Sequence, residues 1–166
     1  VETVTAQPCF PVKVAYGHVA ELLRKKVEYI FLPSIATAQK KYPDAINSTY
    51  CPLVQSFPFQ IKAAFGDKPG NTEILSPELR LGESEKLLEK GFIEVGNKLN
   101  CRKAKVKDAL EKAFKNQLGF ENDLIAKGKE ILNSIRSDEK LFVIIARPYN
   151  GCDEGVNLEL PKKLSE

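Results

Sequence analysis

The residues best equipped for chemistry are two cysteines in matching local sequences. Cys9 stands in Pro8-Cys9-Phe10-Pro11 and Cys51 in Tyr50-Cys51-Pro52-Leu53. Each directly precedes a stretch with proline where a helix would start, since the fixed φ of proline suits the first turn and its missing N–H has no partner there anyway. The unpaired N–H groups and positive dipole of a helix start favour negative charge, and thiolate is the form of cysteine that binds metal. Iron-sulfur clusters are held by such thiolates. The spacing is not the compact spacing of ferredoxins, so buried cysteines, capping cysteines and a disulfide stand beside the cluster as readings of the same residues.

The remaining reactive side chains are fewer. With four cysteines, one histidine and no CxxC pair, the chain lacks the close ligand pairs of a structural zinc site. Cys101 lies in a basic, helical context, and Cys152 follows Ala146-Arg147-Pro148-Tyr149-Asn150. His18 shares a helix face with Val14 and Leu22 and reads as a packed or capping residue, with proton handling as its functional role; Lys13 reads as a solvated lysine of the first turn. Arg147 and Tyr149, at the end of an apolar run, suit contact with an anion such as a CoA phosphate, or structural pairing. Asp153 and Glu154 suggest a turn before a metal site.

These residues need elements to position them. From Pro11 to Lys25, Val12, Ala15, Tyr16, Val19, Leu22 and Leu23 recur at helical spacing. A second helix starts near Pro52, is interrupted at Pro58 and ends at Gly66. Val27 to Leu32 and Leu141 to Ala146 read as strands, the second fully buried; Val1 to Thr5 and Thr72 to Leu75 are shorter strand candidates. Residues 83–137 read as a helical pair or trio broken near Asn100 and Gly119, covering a sheet. Ser34 to Tyr50 is a polar connection long enough to serve as a lid.

Alternating helices and strands with short connections predict an α/β fold, a Rossmann-like parallel sheet flanked by helices. In such folds ligands sit at the carboxyl edge of the sheet, where two helix-start cysteines would meet. The 166 residues are expected to form one α/β module, as a single unit or as lobes 1–75 and 76–166. With no methionine, Val1 in first place and a helix starting at Leu160, the chain reads as an internal piece of a larger protein, truncated at both ends. Hydrophobic residues at 43% and charged residues at 28% are a globular composition, which argues against disorder. A net charge of +3 calls for neither nucleic acid nor an anionic membrane, and no apolar run approaches the roughly 20 residues of a membrane helix. A cytoplasmic setting is expected, where disulfides are rare.

The stretch from Cys9 to His18, Cys9-Phe10-Pro11-Val12-Lys13-Val14-Ala15-Tyr16-Gly17-His18, together with Tyr29-Ile30-Phe31-Leu32-Pro33, Tyr50-Cys51-Pro52-Leu53-Val54-Gln55 and Ala146-Arg147-Pro148-Tyr149-Asn150, resembles the module attached to activators of 2-hydroxyacyl-CoA dehydratases. That family includes proteins related to the 2-hydroxyglutaryl-CoA dehydratase activator and to the cluster-bearing dehydratase subunits. The resemblance implies low-potential electron transfer, in which an ATP-driven activase passes an electron to a partner carrying a four-iron four-sulfur cluster. It assigns Cys9 and Cys51 as ligands and leaves the third ligand beyond residue 166, so the cluster belongs to the parent protein and can be missing from this piece. No Gly-x-x-x-x-Gly-Lys-Ser/Thr loop is present, so ATP is not expected on these residues. The expected partners are other domains of the parent protein and an acyl-CoA dehydratase or reductase. The piece alone is expected to be inactive, within a parent that is an activase or a dehydratase or reductase component. The alternative is a non-redox CoA- or partner-binding module with structural cysteines.

Overall fold

The computed structural model describes residues 7–39, 44, 46–67 and 69–166. The strand expected over Val1 to Thr5 lies outside the described residues. The chain divides into two compact units, residues 1–115 and 116–166.

In the first unit the order is α1 (Phe10–Arg24), β1 (Tyr29–Phe31), β2 (Ser34–Thr37), α2 (Pro52–Gln55), α3 (Phe57–Phe65), β3 (Glu73–Leu75), β4 (Glu78–Arg80), α4 (Glu85–Lys98) and the start of α5 (Lys103–Ser134). β1 pairs in parallel with β3, and β2 in parallel with β4. The register keeps one offset from Tyr29↔Glu73 to Ile35↔Leu79, and the N–H groups of Leu32 and Ser34 donate to the carbonyls of Leu75 and Pro77 across the gap. The two pairs are therefore successive stretches of one parallel ribbon. It is interrupted where Pro33 and Pro77, which lack N–H groups for the ladder, stand at the same level.

Helices cover both faces of this ribbon. Ile30 and Ile74 share a core with Val12, Tyr16 and Val19 of α1 and with Ile61 of α3, whose side chain is 0% exposed. Successive strand residues point to opposite faces, so Phe31 looks away from that core. It stacks on Phe92 of α4 at 6.4 Å, and α4 lies against β4 with Leu79 and Leu88 buried. The architecture is α/β with a parallel sheet between helices, as the alternation of elements predicts.

Several boundaries follow their sequence signals. The proline interruption falls at Ser56, which separates α2 from α3, and Pro58 occupies the first turn of α3. Gly66 ends α3 with φ +88°, a value that L side chains rarely adopt, and its N–H returns to the carbonyl of Lys62. The helical stretch breaks at Asn100, which has φ 55°. Ser34 to Tyr50 differs from the expected polar loop at both ends: its first residues form β2, and its last return along that strand. Thr49 bridges Thr37 in antiparallel sense, Ala38 N–H donates to Ser48 O at 2.7 Å and Tyr50 N–H to Ala36 O at 3.0 Å.

Three helix and strand expectations are corrected. Gly119 does not break the chain, because α5 runs unbroken through both Gly119 and Gly128. An isolated glycine costs a helix only about 1 kcal/mol, and its neighbours Ala, Lys, Glu and Leu are strong helix formers. α5 also buries no residue, so within residues 83–137 only α4 covers the sheet. In the second unit, Leu141 to Ala146 is neither a strand nor buried: Phe142, Val143 and Ile145 are 65%, 72% and 94% exposed. A buried parallel strand requires neighbours on both sides, and among the described residues none pairs with this run. It leads into α6 (Pro148–Gly151), α7 (Glu154–Asn157) and α8 (Leu160–Ser165). No described helix is long and apolar enough to cross a membrane.

Candidate functional site

Cys9 and Cys51 occupy equivalent backbone positions. Cys9 is the N-cap of α1 with φ −59° and ψ 155°, and Cys51 the N-cap of α2 with φ −53° and ψ 134°. The Cys9 carbonyl accepts from the N–H groups of Val12 and Lys13 at 3.0 and 3.3 Å, and the Cys51 carbonyl from those of Val54 and Gln55 at 2.9 and 3.1 Å. In both, proline lies in the first turn and the side chain makes no capping hydrogen bond. Both thiols are free and exposed, which sets aside the disulfide and the buried-cysteine readings.

The two helix starts feed one core. Val12, three residues after Cys9, is a core member, and Leu53, two residues after Cys51, packs against the same cluster together with Phe57. Tyr16 of α1 meets Phe57 edge-on at 5.5 Å and Phe65 at 6.4 Å. Its hydroxyl donates to Gln60 Oε1 at 3.3 Å, Gln60 Nε2 donates to Ser56 Oγ at 2.7 Å, and Ser56 Oγ donates to Pro52 O at 2.7 Å. A polar chain thus runs from the second turn of α1 to the carbonyl of Pro52, the residue after Cys51. Burial of the Tyr16 ring raises the pKa of its hydroxyl above the ordinary tyrosine value.

The peptide before Cys51 is held as firmly. Gln55 Nε2 donates to Tyr50 O at 2.6 Å, the Tyr50 N–H is fixed on β2, and Ser34 Oγ, in a buried residue, donates to Gln55 O at 2.7 Å. Sequence reasoning singled out none of Gln55, Gln60, Ser34 or Ser56 as site-forming. A glutamine four residues after a helix-start cysteine is the one local signal that could have marked Gln55.

Other predicted site residues lie apart from this arrangement or take other roles. His18 is exposed on α1, not packed: the helix turns Val12, Tyr16 and Val19 to the core, and the face with Leu22 is outside it. Lys13 Nζ donates to Gln7 Oε1 at 2.9 Å near the start of α1. Cys101 is half-buried, with Sγ donating to Leu99 O at 3.7 Å. In the second unit, Arg147 is the N-cap of α6, its carbonyl accepting from Asn150 and Gly151, and Tyr149 is 50% exposed. Cys152 is free and exposed at the end of α6. Asp153 caps α7 by accepting from Val156 N–H at 2.8 Å, which gives its carboxylate a local structural task.

As donors, the exposed thiols of Cys9 and Cys51 suit a soft metal centre. Two donors are fewer than the four cysteines that usually hold an iron-sulfur cluster. Among the described residues no group of three or more His, Cys, Asp or Glu is placed to hold a metal ion. The described residues therefore do not assemble a complete cluster site.

No curated protein and no solved structure matches the chain. One family does, and it does so over residues 1–166, a span that holds both cysteine segments and the Arg147-Pro148-Tyr149 segment. The chain belongs to the CoA enzyme activase uncharacterised domain family (DUF2229), in keeping with a place among the activators of 2-hydroxyacyl-CoA dehydratases.

Proposed function

We propose that this chain is an electron-transfer module of an ATP-dependent 2-hydroxyacyl-CoA dehydratase activase or reductase system, in which Cys9 and Cys51 supply part of the ligand set of a four-iron four-sulfur cluster. The observation that carries this reading is the repetition of one device: two free, exposed thiols, each at an N-cap with proline in the first turn, on helices that feed a common core. Two structural cysteines would have no reason to share backbone geometry, exposure and first-turn chemistry. In this reading the protein's own part is positional. The Gln55 to Tyr50 bond and the Tyr16, Gln60 and Ser56 chain fix the two helix starts, so that the thiols are presented without the rearrangement that weakens a metal site. The remaining ligands come from outside the described residues. The sheet is read as Rossmann-like, the setting as cytoplasmic and ATP as bound elsewhere than on these residues.

Anaerobic treatment with iron and sulfide tests this on a longer polypeptide that carries these residues within its neighbouring domains. Visible absorption and an EPR signal on reduction are expected, both lost in Cys9→Ala and Cys51→Ala. A polypeptide that forms no cluster, or one whose cluster survives both replacements, refutes the proposal.

One observation favours a second reading, a CoA- or partner-binding module with structural cysteines. Arg147 is exposed at the start of α6 and makes no ion pair among the described residues, which leaves its guanidinium available to a phosphate. CoA binding by the cluster-free chain that is lost in Arg147→Ala would favour it.

A further inference from the structure

We propose that the trench between α4 and the start of α5 is a binding site for the acyl chain of a fatty carboxylate, with Lys105 at its head group. The trench has a volume of about 290 Å³ and is walled by Phe92, Val95 and Leu99 of the α4 end and by Val106, Ala109 and Leu110 of α5. Cys101 completes the wall, and because its thiol donates to Leu99 O at 3.7 Å, its polar atom is already engaged within the wall. Gly96 makes the shape possible: a Cβ there would collide with Val106 Cγ2, so the two helices approach closely only over glycine. Such a surface gains by being taken out of water and gives a polar ligand nothing to bond.

Size and charge select the occupant. Small-molecule pockets run from roughly 300 to 1,000 Å³, so this trench stands at the lower end, matching one short chain. A docked amphipathic helix would need a groove for a row of anchors at i, i+3 or i+4 and i+7, and this volume cannot hold such a row. Three lysines of α4 and α5 are already paired. Lys103 and Lys107 both reach Glu89, at 4.0 and 2.8 Å, and Lys98 reaches Glu73 at 2.7 Å. Lys105, whose stem forms part of the wall, pairs with no carboxylate among the described residues. An apolar slot bordered by one unneutralised cation is complementary to an apolar chain that ends in an anion. The site stands independently of any cluster at Cys9 and Cys51.

Binding of decanoate and of 1-decanol to the 166-residue chain, each by displacement of a fluorescent fatty acid, tests the assignment. Decanoate is expected to bind with one site per chain, about fivefold more tightly than the alcohol, the upper range of one exposed ion pair. Lys105→Glu is expected to remove that preference while leaving the chain folded, and Ala109→Trp, which fills the trench from an exposed helix position, to abolish binding of both. Equal affinity for acid and alcohol, or decanoate binding that survives Ala109→Trp, overturns the proposal. So does concentration-dependent self-association lost in Ala109→Trp, which would give the trench to a second copy of the chain. If Ala109→Trp loses its circular dichroism signal, Ala113→Phe, in the same wall, gives the same discrimination.

Discussion

Replacing Tyr16 should show whether the helix that starts at Cys9 and the helices that start at Cys51 are held by one core. The ring is 3% exposed, meets Phe57 at 5.5 Å and 81° and Phe65 at 6.4 Å, and donates to Gln60 at 3.3 Å. Truncation of a buried aromatic to alanine costs about 3 to 5 kcal/mol through lost burial and the cavity left behind. Of that, each aromatic pair accounts for about 0.5 to 1.5 kcal/mol beyond its area. A hydrogen bond as long as this one lies at the low end of the usual range of about 0.5 to 1.5 kcal/mol. Tyr16→Phe should therefore cost under about 1 kcal/mol and Tyr16→Ala at least three times as much, a large share of the roughly 5 to 15 kcal/mol that stabilises a typical domain. Urea unfolding followed by circular dichroism gives both values. A double-mutant cycle of Tyr16→Ala with Phe57→Ala should return a coupling of about 0.5 to 1.5 kcal/mol. A Tyr16→Ala cost below about 1.5 kcal/mol, or no coupling to Phe57, would refute the view that this ring ties the two helix starts together.

Alkaline stability reports on the same ring. Burial raises the folded-state pKa of Tyr16 above its unfolded value of about 10, so the native state holds the proton more tightly and its contribution to stability is present below pH about 10 and lost as pH rises beyond it. Tyr29 shifts in the same direction through its hydrogen bond to Glu28 and adds to the loss, so Tyr16→Phe should flatten the alkaline fall of urea midpoints only in part; an unchanged fall would contradict burial as the cause. Gln55→Ala frees the Tyr50 carbonyl that its side chain holds at 2.6 Å, and alkylation of Cys51 should speed up severalfold relative to Cys9, as peptide mass spectrometry would show; equal rates would dismiss the cradle. Gly96→Ala should destabilise by about 1 to 3 kcal/mol, the usual cost of overpacking, because its methyl group meets Val106, and in the same urea measurement a neutral effect would show that α4 and α5 adjust freely.

Local signals and paired signals were legible to different degrees. α1 could be read from Val12, Tyr16 and Val19 because their spacing is a property of one segment, and the structure buries those three. The prolines at 11, 52 and 58 and the glycine at 66 marked helix boundaries because their backbone preferences act on the residue that carries them. Leu141 to Ala146 shows where that logic ends. An unbroken apolar run states that a segment would gain by burial, but burial depends on a neighbour, and the segment is instead exposed up to 94% at Ile145. α5 makes the same point for helices: Phe114 with Leu118, and Leu124 with Ile131, have the spacing of a core face, yet all four are exposed.

The candidate site divides along the same line. That both cysteines sit at helix starts was visible from Cys9-Phe10-Pro11 and Cys51-Pro52, since an N-cap is defined by the next few residues. The supporting shell was not visible, because its bonds join Tyr16 to Gln60 and Ser34 to Gln55, pairs that are 44 and 21 residues apart and follow no spacing rule. These bonds give the twin motifs their mechanical meaning. A thiol on an unsupported first turn would be free to reorient, whereas here the turn after Cys9 is anchored by Val12 and Tyr16, and the turn after Cys51 by Leu53, Gln55 and Ser56. Exposed sulfurs on helix starts whose turns are tied by hydrogen bonds and packing are what the proposed ligand pair would require.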